Sequence, residues 1–128
     1  MSVERFAIDG PATWFQRLDQ QVFLADVLDE TSGTAMSVGF ARYAKGETNP
    51  WTMTYDEALI ITNGVFTVRG PDGPVSAAAG EVIYLRAGTD LVYEATEDTE
   101  LVYVTHPHWL AATQSSDQAG RLEEFHPA

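Results

Sequence analysis

What constrains this chain most is how often it is told to turn. Reversal signals recur along it: Asp29-Glu30-Thr31-Ser32-Gly33, Lys45–Pro50, Asn63-Gly64, Pro71-Asp72-Gly73-Pro74, Ala87-Gly88-Thr89 and the acidic stretch Thr96–Glu100. Glycine opens positive φ, proline fixes φ and removes a backbone donor, and Asn and Asp close local turns, so long helices have no room between these points. The intervening runs are rich in β-branched and aromatic residues: Gln21–Leu28, Ala35–Ala44, Thr52–Thr62, Val65–Arg69, Val75–Ala78, Glu81–Arg86, Leu91–Ala95 and Leu101–Thr105. About eight or nine short strands in roughly 85 residues is the all-β pattern of a sandwich or barrel. Asn63-Gly64 is the strongest short hairpin signal and predicts Val65–Arg69 as the partner of Thr52–Thr62. Lys45–Pro50 reads as a loop because Gly46, Asn49 and Pro50 all interrupt regular structure. Helix signals are thin. Gly10–Leu18 could begin a short turn, and Trp109–Phe125, polar and weakly periodic, reads as a tail with one helical turn and an arm for a partner subunit.

Composition narrows the classes further. At 128 residues and 45% hydrophobic the chain suits one domain with enough apolar material to close a core. It has no cysteine, which removes disulfides, thiolate metal sites and cysteine nucleophiles. Seven Lys and Arg stand against 19 Asp and Glu, a net charge of −12, which argues against nucleic acid or an anionic membrane as partner. No apolar run is long enough to span a bilayer, and Met1-Ser2-Val3-Glu4-Arg5 lacks the blocks of a signal peptide, so the expected location is cytoplasmic. The expected layout is an N-terminal arm over 1–20, a barrel over 21–108 and a C-terminal tail over 109–128.

Glycine spacing suggests a more specific family. Gly46, Glu57 and, after six intervening residues, Gly64 fall on the first motif of the cupins; Gly80, Arg86, Gly88 and Leu91 fall on the second. Pro50-Trp51-Thr52-Met53-Thr54-Tyr55-Asp56-Glu57 is similar to the P-W-T-x-x-Y-D-E string of ethanolamine-utilization cupins of the EutQ type. That resemblance continues through Gly80-Glu81-Val82-Ile83-Tyr84-Leu85, Gly88, Tyr103-Val104, Pro107 and Trp109, and back to Gly39-Phe40. It implies a single cupin jelly-roll β-barrel, a homodimer, and an ethanolamine-utilization context in which acetate kinase activity has been connected with the family. Full-length members often carry a leading region that this barrel does not include.

The ordinary cupin site holds a divalent metal on three His and one Glu. Here Pro50 to Met53, where the His-x-His pair belongs, carry no imidazole, and Leu91 stands at the third His position. No metal and no other cofactor is therefore expected at that site. His106, His108 and His126 all lie at or beyond the last expected strand, where a solvent-facing exit loop accounts for the first two.

Glu57 is the leading catalytic candidate. Pointing inward, with Tyr55 and Leu59 on its face by the two-residue strand period, its carboxyl would be desolvated and usable as a general acid or base. Asp56 then points outward. Tyr55 is grouped with Glu57 as catalytic; Tyr43, Trp51, Tyr84, Tyr93 and Tyr103 are the candidate ligand-binding residues, Tyr93 because it shares the inward face of Leu91. A structural carboxylate and ordinary core aromatics would account for the same residues. The cations near the expected mouth, Arg42, Lys45, Arg69 and Arg86, form no P-loop pattern. The expected function is small-molecule binding or non-oxidative catalysis of lyase, isomerase or dehydratase type. The alternatives are an assembly module of a bacterial microcompartment and acetate kinase-like phosphoryl transfer.

Overall fold

Two antiparallel sheets face each other, and the turn signals decide where the chain crosses between them. The computed structural model describes residues 2–128. The strands are β1 (Phe15–Arg17), β2 (Val22–Leu28), β3 (Ser37–Tyr43), β4 (Thr48–Thr52), β5 (Asp56–Asn63), β6 (Val65–Gly70), β7 (Gly73–Ala78), β8 (Val82–Leu85), β9 (Asp90–Ala95), β10 (Thr99–His106) and β11 (Phe125–Pro127). A short helix α1 (Trp109–Gln114) and a 3-10 turn over Ala119–Glu124 separate β10 from β11. The larger sheet has the order β11-β1-β2-β3-β10-β5-β8 and the smaller β4-β9-β6-β7, and neither closes on itself. This is the all-β arrangement expected from the strand spacing and the jelly roll implied by the cupin resemblance, built as an open two-sheet barrel.

Two local expectations fail for a shared reason. Asn63-Gly64 does not make a hairpin: β5 pairs with β10 and β8, whereas β6 pairs with β7 and β9. The turn carries the chain from one sheet to the other. Gly64 has φ +87°, and a Cβ there would lie 2.0 Å from the Asp98 carbonyl oxygen, so the crossing is pressed against the β9–β10 turn. The hairpin signal is local, and the pairing of β10 between β3 and β5 outweighs it. Likewise the run Thr52–Thr62 is not one strand. Met53–Tyr55 breaks it, pinned by Met53 N–H to Thr89 O (2.9 Å) and Gly88 N–H to Met53 O (2.7 Å), which sends β4 and β5 to different sheets. The expected loop before it is partly strand: Asn49 and Pro50 belong to β4. Pro50 is tolerated because β4 is an edge strand bonded only to β9. Pro71-Asp72-Gly73-Pro74 does turn a hairpin, with Gly70 opposite Gly73.

The core fills the space between the inner faces. Along β5 burial alternates, with Glu57, Leu59 and Ile61 inside. Leu91, Tyr93 and Ala95 point inward from β9, and Leu101 and Tyr103 from β10. Phe66 is 1% exposed and meets Tyr43 edge-on at 5.0 Å between ring centres. A buried ring of this kind contributes about 2–3 kcal/mol by area alone.

The tail does not reach out as an arm. β11 pairs with β1 of the same chain, and Leu18 N–H donates to Glu124 O at 2.7 Å. The Arg17 guanidinium, almost fully buried, holds Glu124 at 2.8 Å, and Arg121 binds both Glu124 and the Pro50 carbonyl. These ties lay Trp109 and Phe125 over one end of the space between the sheets, with ring centres 6.0 Å apart.

Candidate functional site

Inside that end lies a cavity of about 50 Å³, lined among others by Tyr43, Asn49, Trp51, Tyr55, Glu57, Tyr93, Tyr103, Trp109 and Phe125. No lysine or arginine lines it. The sequence candidates Arg42, Arg69 and Lys45 are instead spent on outer-surface pairs with Glu100, Glu94 and Glu97.

Glu57 is 6% exposed, and the alternation of β5 aims it inward, as the resemblance to the cupin motif implies. Its Oε1 accepts the Tyr93 hydroxyl at 2.7 Å, while its Oε2 makes no hydrogen bond within the protein. Burial pushes its carboxyl up to about 7, against the Tyr93 hydrogen bond that pulls it down; the nearby Asp26 charge adds to the rise. Tyr55 lies in the break before β5 rather than on the strand, yet its ring is buried beside Glu57, and its hydroxyl accepts the Trp51 indole N–H at 3.0 Å. Tyr43 accepts the Asn49 amide at 3.3 Å. Burial, reinforced by the charge of Glu57, raises the phenol pKa of Tyr55 and Tyr93, and burial raises that of Tyr43, so all three stay protonated as hydrogen-bond donors.

Tyr84 is the candidate that does not belong here. Burial alternates along β8 so that Ile83 and Leu85 face in, and Tyr84 faces out with 54% exposure. Its hydroxyl donates to Asp56 on the outer face, and Arg86 lies over its ring at 5.5 Å. Asp56 is outward, as expected. His106 is exposed at the end of β10; His108 is tied by Nδ1 to Ser37 Oγ (2.7 Å) and by Nε2 to Thr34 O (2.6 Å); His126 bonds Leu18 O at 2.7 Å.

Four residues at the site are not among the sequence candidates. Asn49 is 4% exposed, and its Oδ1 has no hydrogen-bond partner. Asp26 on β2 accepts the Tyr103 hydroxyl and the Trp109 indole N–H at 3.0 Å, and burial raises its carboxyl pKa despite those two bonds. Trp109 and Phe125 close the mouth. An outer cavity of about 330 Å³ lies beyond them, sharing Leu24, Tyr103, Trp109 and Phe125 as wall and containing Asp26. The period-two rule marks Asn49 and Asp26 only once their strands are known.

The family model described as ethanolamine utilisation protein EutQ matches residues 12–111. The chain belongs to the EutQ family. Acetate kinase EutQ of Escherichia coli strain K12 is 30% identical over 104 residues, 78% of this chain and 44% of that protein. The chain thus spans less than half the length of the curated relatives it matches. The crystal structure of an ethanolamine utilization protein of the family from Salmonella typhimurium LT2 aligns at TM-score 0.67 and 28% identity, covering 73% of this chain and 79% of that one. A cupin superfamily protein from Desulfitobacterium hafniense aligns at TM-score 0.60 and 14% identity over 72% of this chain and 82% of its own, which supports the cupin fold alone.

The cupin fold raises the question of a metal. Glu57 is the one carboxylate in the cavity, the other polar groups lining it are phenols, indoles and the Asn49 amide, and among the described residues no three His, Asp or Glu converge. That donor set does not fit a divalent transition metal, which takes imidazole, carboxylate or thiolate ligands in number.

Proposed function

We propose that this EutQ-family cupin binds a small molecule in the inner cavity and moves a proton on it through Glu57. The observation that carries this reading is a buried carboxyl lining a cavity with one oxygen free of protein hydrogen bonds; burial pushes its pKa up to about 7. A general acid or base works best with its pKa near the operating pH. Tyr43 and Tyr55 supply O–H donors that stay protonated, suited to an oxygen gaining negative charge. Abstraction of a proton from carbon beside a carbonyl uses this set, and isomerases, lyases and dehydratases share that step.

The test is deuterium wash-in. The protein is incubated in deuterated buffer with two- to four-carbon carbonyl and hydroxy compounds, and loss of C–H signal is followed by NMR. Glu57 acts as the base only when ionised, so exchange should rise through about pH 7 and level off above it. Glu57→Gln should abolish it. Exchange indistinguishable between wild type and Glu57→Gln for every compound would end the proposal.

The relatives' name, acetate kinase, supports a second reading. Acetate has few enough atoms for the cavity, yet the lining offers no cation to clamp a triphosphate. A coupled assay with acetate, ATP and magnesium should therefore stay at background, and turnover above it would favour the kinase reading.

A further inference from the structure

The polar atoms of the inner cavity specify more than a proton-transfer group. Two acceptors lack donors. Asn49 Oδ1 is buried without a partner, and Glu57 Oε2 makes no hydrogen bond within the protein. On the donor side, the hydroxyls of Tyr43 and Tyr55 each accept an N–H, from Asn49 and Trp51; Tyr43 passes its own proton to no protein atom, and Tyr55 has only the Tyr93 hydroxyl in reach. Leaving a buried amide oxygen unpaired costs about 1–3 kcal/mol, so the arrangement points to a partner that arrives from outside. Asn49 lies opposite Tyr93 in the β4–β9 pair, and Tyr93 donates to Glu57, so the orphan amide and the carboxyl sit on either side of one phenol.

From this we infer that the inner cavity takes a short, uncharged hydroxycarbonyl compound of two or three carbons, its hydroxyl donating to Asn49 and its carbonyl oxygen accepting from Tyr43 or Tyr55. The inference rests on the proton-transfer reading of the same site. The hydroxyl end thus meets the orphan amide oxygen and the carbonyl end a phenol proton, which leaves the free Glu57 oxygen for the C–H. Turning the Asn49 amide over leaves Nδ2 unpaired instead, which then donates to the same hydroxyl oxygen. An anion is disfavoured because it meets Glu57 with no lysine or arginine in the lining. A simple ammonium ion satisfies the acceptors and leaves the Tyr43 proton unmet. The volume sets the size limit, since about 50 Å³ leaves no space for a sugar.

The chemistry that follows is balanced without any co-reactant. Glu57 takes a proton from the carbon that carries the hydroxyl. The C–H electron pair becomes the C=C bond of an enediolate, and the carbonyl π pair moves onto its oxygen, against the tyrosine O–H donors. Return of a proton or a deuteron from Glu57 to the same carbon regenerates the carbonyl and gives the labelled starting compound; passage of the hydroxyl proton to the enolate oxygen, followed by protonation of the other carbon, gives the isomer. The charged or titratable groups around Glu57 are Tyr43 from β3, Tyr55 from the break before β5, Tyr93 from β9, Tyr103 from β10 and, beyond Tyr103, Asp26 from β2.

Hydroxyacetone is the probe, compared with acetone, 1,2-propanediol, acetate and ethylammonium, by ligand-detected NMR and deuterium exchange on the full chain. Hydroxyacetone should bind at least tenfold more tightly than acetone or the diol and should exchange at its hydroxymethyl carbon. Asn49→Leu should erase the preference over acetone while leaving the melting temperature equal or higher, because an unpaired buried polar group has gone. A fold defect would show instead as a lowered melting temperature; Asn49→Asp, measured alongside, should keep some preference for the hydroxyl. Equal binding of hydroxyacetone and acetone, or tighter binding of acetate or ethylammonium, overturns the hydroxycarbonyl assignment. If acetone itself exchanges in a Glu57-dependent way, the proton-transfer reading survives that result; if no probe binds or exchanges, both fall.

Discussion

Replacing Glu57 by Gln should stabilise the protein, and only above a definable pH. The wild-type carboxyl titrates at about 7 in the folded state against 4.5 for the free side chain. Between those values the folded protein holds a proton that the unfolded chain has released. The stabilisation is therefore complete below pH 4.5, declines as pH rises, and is gone above about 7. The difference of pKa corresponds to about 3 kcal/mol, at roughly 1.4 kcal/mol per unit. Glutamine keeps the acceptor for the Tyr93 hydroxyl and the shape of the protonated acid, and it does not ionise. The variant should match wild type at about pH 4.5–5 and melt about 10 °C higher at about pH 7.5, taking about 4 °C per kcal/mol for a domain of this size. Thermal melts of both proteins in one mixed buffer from about pH 4.5 to about 8.5 measure this, and subtracting the two curves cancels every other titrating group. A difference that stays flat with pH would refute the argument, because it would mean that Glu57 ionises as an ordinary surface carboxylate.

Tyr93→Phe removes the hydroxyl that lowers the Glu57 pKa, so the midpoint of that difference curve, measured with the substitution present in both proteins, should move upward. Arg17→Ala leaves Glu124 with Arg121 alone and loosens the tail; a loss of about 2 kcal/mol is expected for a largely buried pair, with red-shifted tryptophan emission as Trp51 and Trp109 gain water. Gly64→Ala places a methyl group against the Asp98 carbonyl at positive φ and should cost more than about 2 kcal/mol in chemical denaturation, far above the effect of a surface alanine.

The sequence is most legible where one strand's own alternation decides the answer. Once the cupin motif turns Glu57 and the Leu91 position inward, Leu59 and Tyr93 follow, because a half-buried strand repeats every two residues. Tyr84 escapes that logic because β8 is short, and its run gives no independent clue to which parity is buried. Asn49 reads as loop since Gly46 and Pro50 are breakers in general, although an edge strand asks for no N–H from Pro50 on its open side. Asp26 and Phe125 leave no local trace. Asp26 gains its role from Tyr103, 77 positions away, and the tail is held at Arg17 by a residue 107 positions distant. Asn63-Gly64 shows the converse: a strong local code, overridden by pairing that forms elsewhere.

The wall shared by the two cavities has a consequence for how they fill. Leu24, Tyr103, Trp109 and Phe125 line both, so they act as a party wall. A molecule resting in the outer cavity leans on the same rings that bound the inner one. Asp26 fixes two of those rings at once, through the Tyr103 hydroxyl and the Trp109 indole. A substitution in this wall therefore reshapes both cavities together.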